Sequence, residues 1–222
     1  MPLAIGFDIY GTLVDPLEMN EHLRAMVGDL ADRFSELWRE KQVEYAFRRG
    51  LMGRYEDFGV CTRQALRYAI EALNVELSEE DQERLMAGYQ RLVAFPDVAA
   101  GLERLQSQGH QLAAFSNGVE ATVRSLLDHA GILPLLDMVV SVDDLQTFKP
   151  DPKVYAYLAE RLGRSTGETL LVSSNPWDII GAKSAGLRAA WVRRKPDAVF
   201  DHWDVEPDLI AGDLSELAER LA

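Results

Sequence analysis

From Pro96 onward the chain alternates helical stretches with short apolar runs, and few folds accommodate that alternation. Helical patterns cover residues 98–108, 120–130, 153–162, 179–185 and 214–221. Apolar runs at 111–115, 138–141, 169–172, 188–192 and 208–211 lie between them. Strands that alternate with helices pair in parallel, and a parallel sheet needs helices on both faces. A further apolar run opens the chain: Leu3, Ala4, Ile5, Gly6, Phe7, Asp8 and Ile9. A strand so short is not stable alone, so it belongs to the same sheet. Between it and Pro96, from about Pro16 to Val93, the pattern is helical, with expected helices at 17–34, 37–51, 61–73 and 78–92. Ser78 followed by Asp81 resembles a capping box at the start of the last of these. The expectation is an α/β protein, a Rossmann-like doubly wound parallel sheet with an inserted helical cap domain. Residues 1–15 and 95–222 form its core and residues 16–94 its cap, over the strand ends where open α/β sheets bind ligands.

Composition narrows the partners. The 222 residues carry a formal net charge of -13, which argues against nucleic acid or an anionic membrane surface. Cys61 is the one cysteine, so an intrachain disulfide is excluded and no metal-type cysteine spacing exists. A reducing cytoplasm suits such a chain. The sequence runs directly into its first strand without a signal-like start, and no apolar run approaches the roughly 18 residues of a membrane span. His22, His110, His129 and His202 show no ligand spacing. No Gly-x-Ser-x-Gly elbow is present, which disfavours a serine hydrolase.

Each apolar run ends in polar residues. The first delivers Asp8, Tyr10 and Thr12 around a turn at Gly11; the second gives Ser116, Asn117 and Gly118. Phe148, Lys149, Pro150 and Asp151 come after the third, and Ser173, Ser174, Asn175, Trp177 and Asp178 after the fourth. One such cluster reads equally well as a turn or a helix start. Four of them along the carboxyl edge of one parallel sheet converge on a single crevice.

This set resembles the haloacid dehalogenase superfamily over essentially the whole chain. Phosphatases of that superfamily carry a second aspartate two residues after the first, which serves as general acid and base and helps hold magnesium. Here Tyr10 takes that place, and a tyrosine is bulky, titrates near 10 and ligates hard cations poorly. The last loop likewise carries Asn175 and Trp177 among its residues rather than paired acids. Asp8-x-Tyr10-Gly11-Thr12 together with Ser173-Ser174-Asn175-x-Trp177-Asp178 looks like the 2-haloacid dehalogenase branch. Trp38-Arg39-Glu40-Lys41-Gln42 resembles that branch's arginine helix, and the stretch from Leu51 to Phe58 resembles its next segment. Glu40, Val43 and Pro176 depart from the pattern.

The resemblance implies a reaction: a carboxylate oxygen of Asp8 displaces halide from the α-carbon of a short 2-haloacid, inverting it. Water then attacks the aspartyl ester and releases a 2-hydroxy acid. An anionic substrate beside an anionic nucleophile is unfavourable, since two unit charges about 4 Å apart repel by roughly 4 kcal/mol at an effective dielectric near 20. Local cations must offset this. Lys149 is expected to keep Asp8 ionised, with Thr12 and Ser173 also in the catalytic set. Arg39 is expected to meet the departing halide, beside Asn117 and Phe58. Ser116 and the amides of the Ile9–Tyr10 turn would hold the substrate carboxylate. Asn175 and Asp178 would place the hydrolytic water, with Asp178 as base. Tyr10, Phe58 and Trp177 would wall a dry pocket, and Tyr155, grouped with the substrate contacts, would support the lysine region.

No metal or other cofactor is implied, the partner is a small 2-haloacid, and apolar positions in the cap helices are compatible with a homodimer. Two other readings remain: a magnesium-dependent phosphatase of the same superfamily, and a fold retained for binding alone.

Overall fold

The computed structural model describes residues 2–222, with the side chains of all of these but 17 and 21; Met1 lies outside the described residues. Among the described residues six strands form one parallel sheet in the order β3-β2-β1-β4-β5-β6. They are β1 (Ala4–Phe7), β2 (Gln111–Ser116), β3 (Met138–Ser141), β4 (Thr169–Ser173), β5 (Arg188–Val192) and β6 (Leu209–Ala211). The helices that precede β2, β3, β4 and β5 are α5 (Val98–Ser107), α6 (Glu120–His129), α7 (Pro152–Arg161) and α8 (Pro176–Ser184), and α9 (Leu214–Arg220) follows β6. Among the described residues no helix is long and apolar enough to cross a membrane.

Strand β1 is buried along its whole length, and both of its edges are paired. Phe7 lies in register with Ala114 of β2 and with Val172 of β4. Asp8 therefore leaves the sheet at the level of Phe115 and Ser173. The chain runs from β1 to β2 and β3 on one side and returns to β4 on the other, so Asp8 sits at the point where the strand order reverses. Such switch points leave an open crevice at the carboxyl edge. Gly6 lets α7 lie close on β1, since a Cβ there would press into Leu158.

Among the described residues the segment between β1 and α5 carries four α-helices: α1 (Met19–Val27), α2 (Ala31–Met52), α3 (Phe58–Ala72) and α4 (Glu79–Gly88). It leaves and rejoins the sheet region through adjacent stretches of chain. Val14 bridges Ala94 in antiparallel fashion, and Asp15 N–H donates to Val93 O at 3.0 Å. Helix boundaries differ from the sequence expectation. The break expected near residues 35–36 falls at Gly28, whose φ of 61° suits glycine, and α2 runs unbroken from Ala31. Ala31, Phe34, Leu37, Trp38, Gln42 and Ala46 form its buried stripe at helical spacing. Helix α3 begins at Phe58, three residues earlier than expected, because Asp57 caps it by accepting from Val60 N–H. The Ser78 cap appears as expected, accepting from Asp81 N–H at 3.1 Å, while α4 stops at Gly88 rather than at residue 92.

Helices α5 and α9 pack together through Gly101. A Cβ at that position would stand 2.6 Å from Leu214 Cβ and 3.0 Å from its backbone carbonyl carbon. Gly101→Ala is expected to cost about 1–3 kcal/mol by overpacking, about 2–12 °C in Tm for a chain of this length. Calorimetry checks this; an unchanged Tm would show that the contact yields freely.

Candidate active site

The carboxyl ends of β1, β2 and β4 converge on one ammonium group. Lys149, on the loop between β3 and α7, is 1% exposed. Its Nζ donates to Asp8 Oδ1, Asp178 Oδ2 and the Phe115 carbonyl, each at 3.0 Å. Three donors meet three acceptors, so the ion is fully bonded despite its burial. Burial pulls the Lys149 pKa down, but the Asp178 and Asp8 carboxylates outweigh it and the group titrates above its ordinary value. Burial raises the pKa of Asp178, which is 0% exposed; Lys149 works against that shift and Asp8 adds to it.

The two oxygens of Asp8 are treated differently. Oδ1 accepts from Lys149. Oδ2 accepts from Asn175 Nδ2 at 2.8 Å, from Thr12 Oγ1 at 3.0 Å and from Ser173 Oγ at 3.4 Å. Two of these side chains are themselves oriented by the backbone: Ser174 N–H donates to Thr12 Oγ1 at 2.9 Å, and Asn175 N–H donates to Ser173 Oγ at 3.1 Å.

The expected residues separate into layers. Asp8, Thr12, Ser173, Asn175, Lys149, Asp178 and Tyr155 share one hydrogen-bonded network. Tyr155 and Asn175 stand elsewhere than the roles expected of them would place them. Tyr155 is fully buried and donates to Asp178 Oδ1 at 2.7 Å, so it braces the lysine's partner Asp178, in keeping with support of the lysine region and not with its grouping among the substrate contacts. Asp178 has one oxygen on Tyr155 and the other on Lys149; Asn175 points at Asp8 and not at Asp178. Asn117 Oδ1 accepts from Lys149 N–H at 2.9 Å and fixes the lysine loop. Ser116 Oγ accepts from Gly118 N–H at 3.0 Å, which leaves its own proton free to donate.

The opposite wall comes from the helical segment. The Tyr10 ring lies 6.2 Å from that of Phe58 and 5.5 Å from that of Tyr89. Burial keeps its hydroxyl protonated far above neutrality. Arg39, half-buried on α2, reaches across so that its Nη2 donates to Tyr10 O at 3.4 Å, with its Cζ 6.0 Å from the Tyr10 ring centre. Trp177 packs edge-on against Phe47 at 5.1 Å. Arg39, Tyr10, Ser174 and Asn175 border a cavity of about 340 Å³, whose far side carries Arg193, Arg194 and Lys195. Glu40 is exposed and Val43 half-buried.

Sequence reasoning missed Arg194. Its guanidinium donates to Thr12 O at 2.6 and 3.2 Å and pairs with Asp97 at 2.6 Å, which pins the turn carrying the nucleophile. Nothing in an Arg-Arg-Lys run distinguishes that role from a solvated surface.

Among the described residues no group of three or more His, Cys, Asp or Glu side chains is arranged to hold a metal ion. Replacing Lys149 would leave two buried carboxylates facing each other. Lys149→Met is expected to destabilise the fold by about 3–5 kcal/mol at neutral pH. The raised Lys149 pKa means that its stabilisation is present below its ordinary value near 10.5 and is lost as pH rises through the folded value. The deficit of the variant should shrink as pH falls and the unpaired carboxylates take up protons. Urea denaturation at pH 7.5 and 4.5 tests this; a deficit independent of pH would contradict the ion-pair account.

A family model for haloacid dehalogenase-like hydrolases matches residues 3–186. The chain is 35% identical over 218 residues to an (S)-2-haloacid dehalogenase of Pseudomonas putida, covering 98% of this chain and 96% of that protein. A solved dehalogenase structure superposes with a TM-score of 0.95 at 36% identity, covering 100% of this chain and 97% of the other. The L-2-haloacid dehalogenase of Xanthobacter autotrophicus gives 0.92 at 32%, with 100% and 98% covered.

Proposed function

The chain belongs to the haloacid dehalogenase-like hydrolases, and from that premise we propose that it is an (S)-2-haloacid dehalogenase acting on short 2-haloalkanoic acids. Tyr10 carries most weight in this reading. Where a phosphatase of the superfamily would bring a second carboxylate, an aromatic ring stands beside Asp8 with the Arg39 guanidinium next to it. An apolar, cationic wall suits an alkyl carbon and a departing halide better than a magnesium-bound phosphate.

The unequal bonding of Asp8 supports a division of labour between its oxygens. Oδ1, held by Lys149, keeps lone-pair density for attack on the α-carbon from the side opposite the halide. The carbon–halogen bond breaks, its electron pair leaves with the halide, and Arg39 meets that charge. Oδ1 becomes the ester oxygen and Oδ2 the ester carbonyl. Thr12, Ser173 and Asn175 then form a ready-made oxyanion site for the second step, in which water attacks the Asp8 carboxyl carbon.

Once Asp8 is esterified, Asp178 is the ionised carboxylate left on Lys149, and its raised pKa makes it the better proton acceptor. It takes a proton from water and returns it to the departing oxygen. Asp8 sheds its own proton to solvent, and the 2-hydroxy acid leaves inverted. Ser116 and the Ile9–Tyr10 amides hold the substrate carboxylate. In this reading residues 16–94 are the cap over the crevice. Exposed Leu51 and Met52 at the end of α2 suit a second copy of the chain, and the cytoplasm is its compartment.

Ion chromatography of halide release from both 2-chloropropionate enantiomers, with EDTA throughout, tests the assignment. The expected outcome is chloride and D-lactate from the L-substrate alone, undiminished by chelator. Turnover restricted to phosphate esters and abolished by EDTA would replace it with the phosphatase reading. Asp8→Asn should reduce halide release by at least about 10⁴-fold, as loss of a nucleophile does; activity within tenfold of the parent would move the nucleophile elsewhere.

A further inference from the structure

Gln42 is a fully buried polar side chain in the apolar stripe of α2, and it takes no part in the reaction steps. Its Oε1 accepts from Arg39 Nη1 at 2.9 Å and from the Tyr89 hydroxyl at 3.3 Å. Its Nε2 donates to Thr62 Oγ1 at 2.7 Å. The hydroxyl of Thr62 fixes the orientation of this amide. Thr62 Oγ1 lies 2.7 Å from the Phe58 carbonyl, which only accepts, so the hydroxyl proton is committed there and Thr62 must accept from Gln42. The nitrogen of Gln42 therefore faces Thr62 and its oxygen faces Arg39. A one-way chain of donors runs from Arg39 through Gln42 and Thr62 to the backbone of Phe58. The indole of Trp38 braces the same turn by donating to Thr62 O at 2.9 Å.

A surface arginine samples many rotamers, and the cost of fixing one falls on whatever step needs it. Among the described residues the hydrogen bonds of the Arg39 guanidinium go to neutral oxygens, those of Gln42 and Tyr10. A neutral acceptor fixes the geometry without cancelling the charge, whereas a carboxylate would do both. We propose that Gln42, locked by Thr62 and Tyr89, is a positioning residue that fixes the Arg39 guanidinium as an uncancelled anion site for the leaving halide. This rests on the dehalogenase reading and adds to it a residue that sets how well poor leaving groups are expelled.

The test compares Gln42→Met, close in volume but without the acceptor, with Thr62→Val, which removes the lock. Rates are measured on 2-chloro- and 2-bromopropionate, and chloride binding to resting protein is measured by chloride NMR line broadening. Chloride leaves less readily than bromide and depends more on a well-placed cation. Gln42→Met should lose about tenfold to a hundredfold in kcat on the chloro substrate, the scale of a misplacement of about 1 Å. It should lose several-fold less on the bromo substrate, leave KM nearly unchanged on both, and broaden the chloride signal less than the parent. Thr62→Val should shift the ratio of the two rates in the same direction by a smaller factor.

A folded Gln42→Met with both rates lowered equally, or with unchanged chloride broadening, would overturn the proposal, because a merely structural residue scales all substrates alike. Should that variant fail to fold, Thr62→Val decides on the same ratio, and an unchanged ratio overturns it. A parent protein that releases no halide refutes the dehalogenase reading itself; chloride broadening in parent and variants then decides separately whether Gln42 builds the anion site.

Discussion

The site depends on one buried ammonium ion. Lys149 joins the carboxylate of Asp8 just past β1, the Phe115 carbonyl of β2 and the carboxylate of Asp178 in the first turn of α8. A lone buried charge would cost several kcal/mol, and this one is tolerable because every one of its protons has an acceptor. The arrangement needs β1 in the middle of the sheet, in register with β2 and β4, so that Asp8, Phe115 and Asp178 are brought around one point. It also needs Tyr155 behind Asp178 and Asn117 on the lysine backbone to hold the ion's partners still. Fold and chemistry meet in this ion: the same bonds that make its burial tolerable hold the Asp8 carboxylate in one orientation.

A protein with net charge -13 repels anionic substrates at long range. The cleft reverses that sign locally. Lys149 lies beneath Asp8, Arg39 crosses from α2, and the wall beyond Asn175 carries Arg193, Arg194 and Lys195. Arg194 is the structural member of this group, tied to Asp97 and to the Thr12 carbonyl, and it stacks 4.2 Å from the Phe95 ring. Aromatic residues around Tyr10 and Phe58 lower the local dielectric, so these few cations act more strongly than a count of charges would suggest.

Much of this was legible in the sequence because it is carried by local pattern. The runs at 138–141 and 188–192 are strands over those same residues, since period and length leave no alternative for short apolar segments between helices. The residues at the strand ends could be grouped because a parallel sheet places all its carboxyl ends on one edge. The helical segment was less legible. Phe34, Leu37 and Trp38 continue one buried stripe, yet the intervening Ser35 and Glu36 look like a break; the true break at Gly28 depends on a left-handed backbone angle. Tyr155 and Asp178 were recognised as members of the site, but which face of the lysine they occupy is decided by tertiary packing. Gln42 was noted only as part of the stretch around Arg39, without its role, and Arg194 was missed altogether, for a simpler reason. A glutamine or an arginine carries no signal of burial, and each gains its role from a partner far along the chain.

The central claim is that Asp8 itself becomes covalently bonded to the substrate carbon. A single turnover in oxygen-18 water, with enzyme in excess, tests it directly by mass spectrometry of the Asp8 peptide and the product. The account requires the label to enter Asp8 while the hydroxy acid carries ordinary oxygen, because that oxygen was Oδ1. Label in the product after the first turnover, with Asp8 unlabelled, would mean that water attacks the substrate directly and that the carboxylate is no nucleophile.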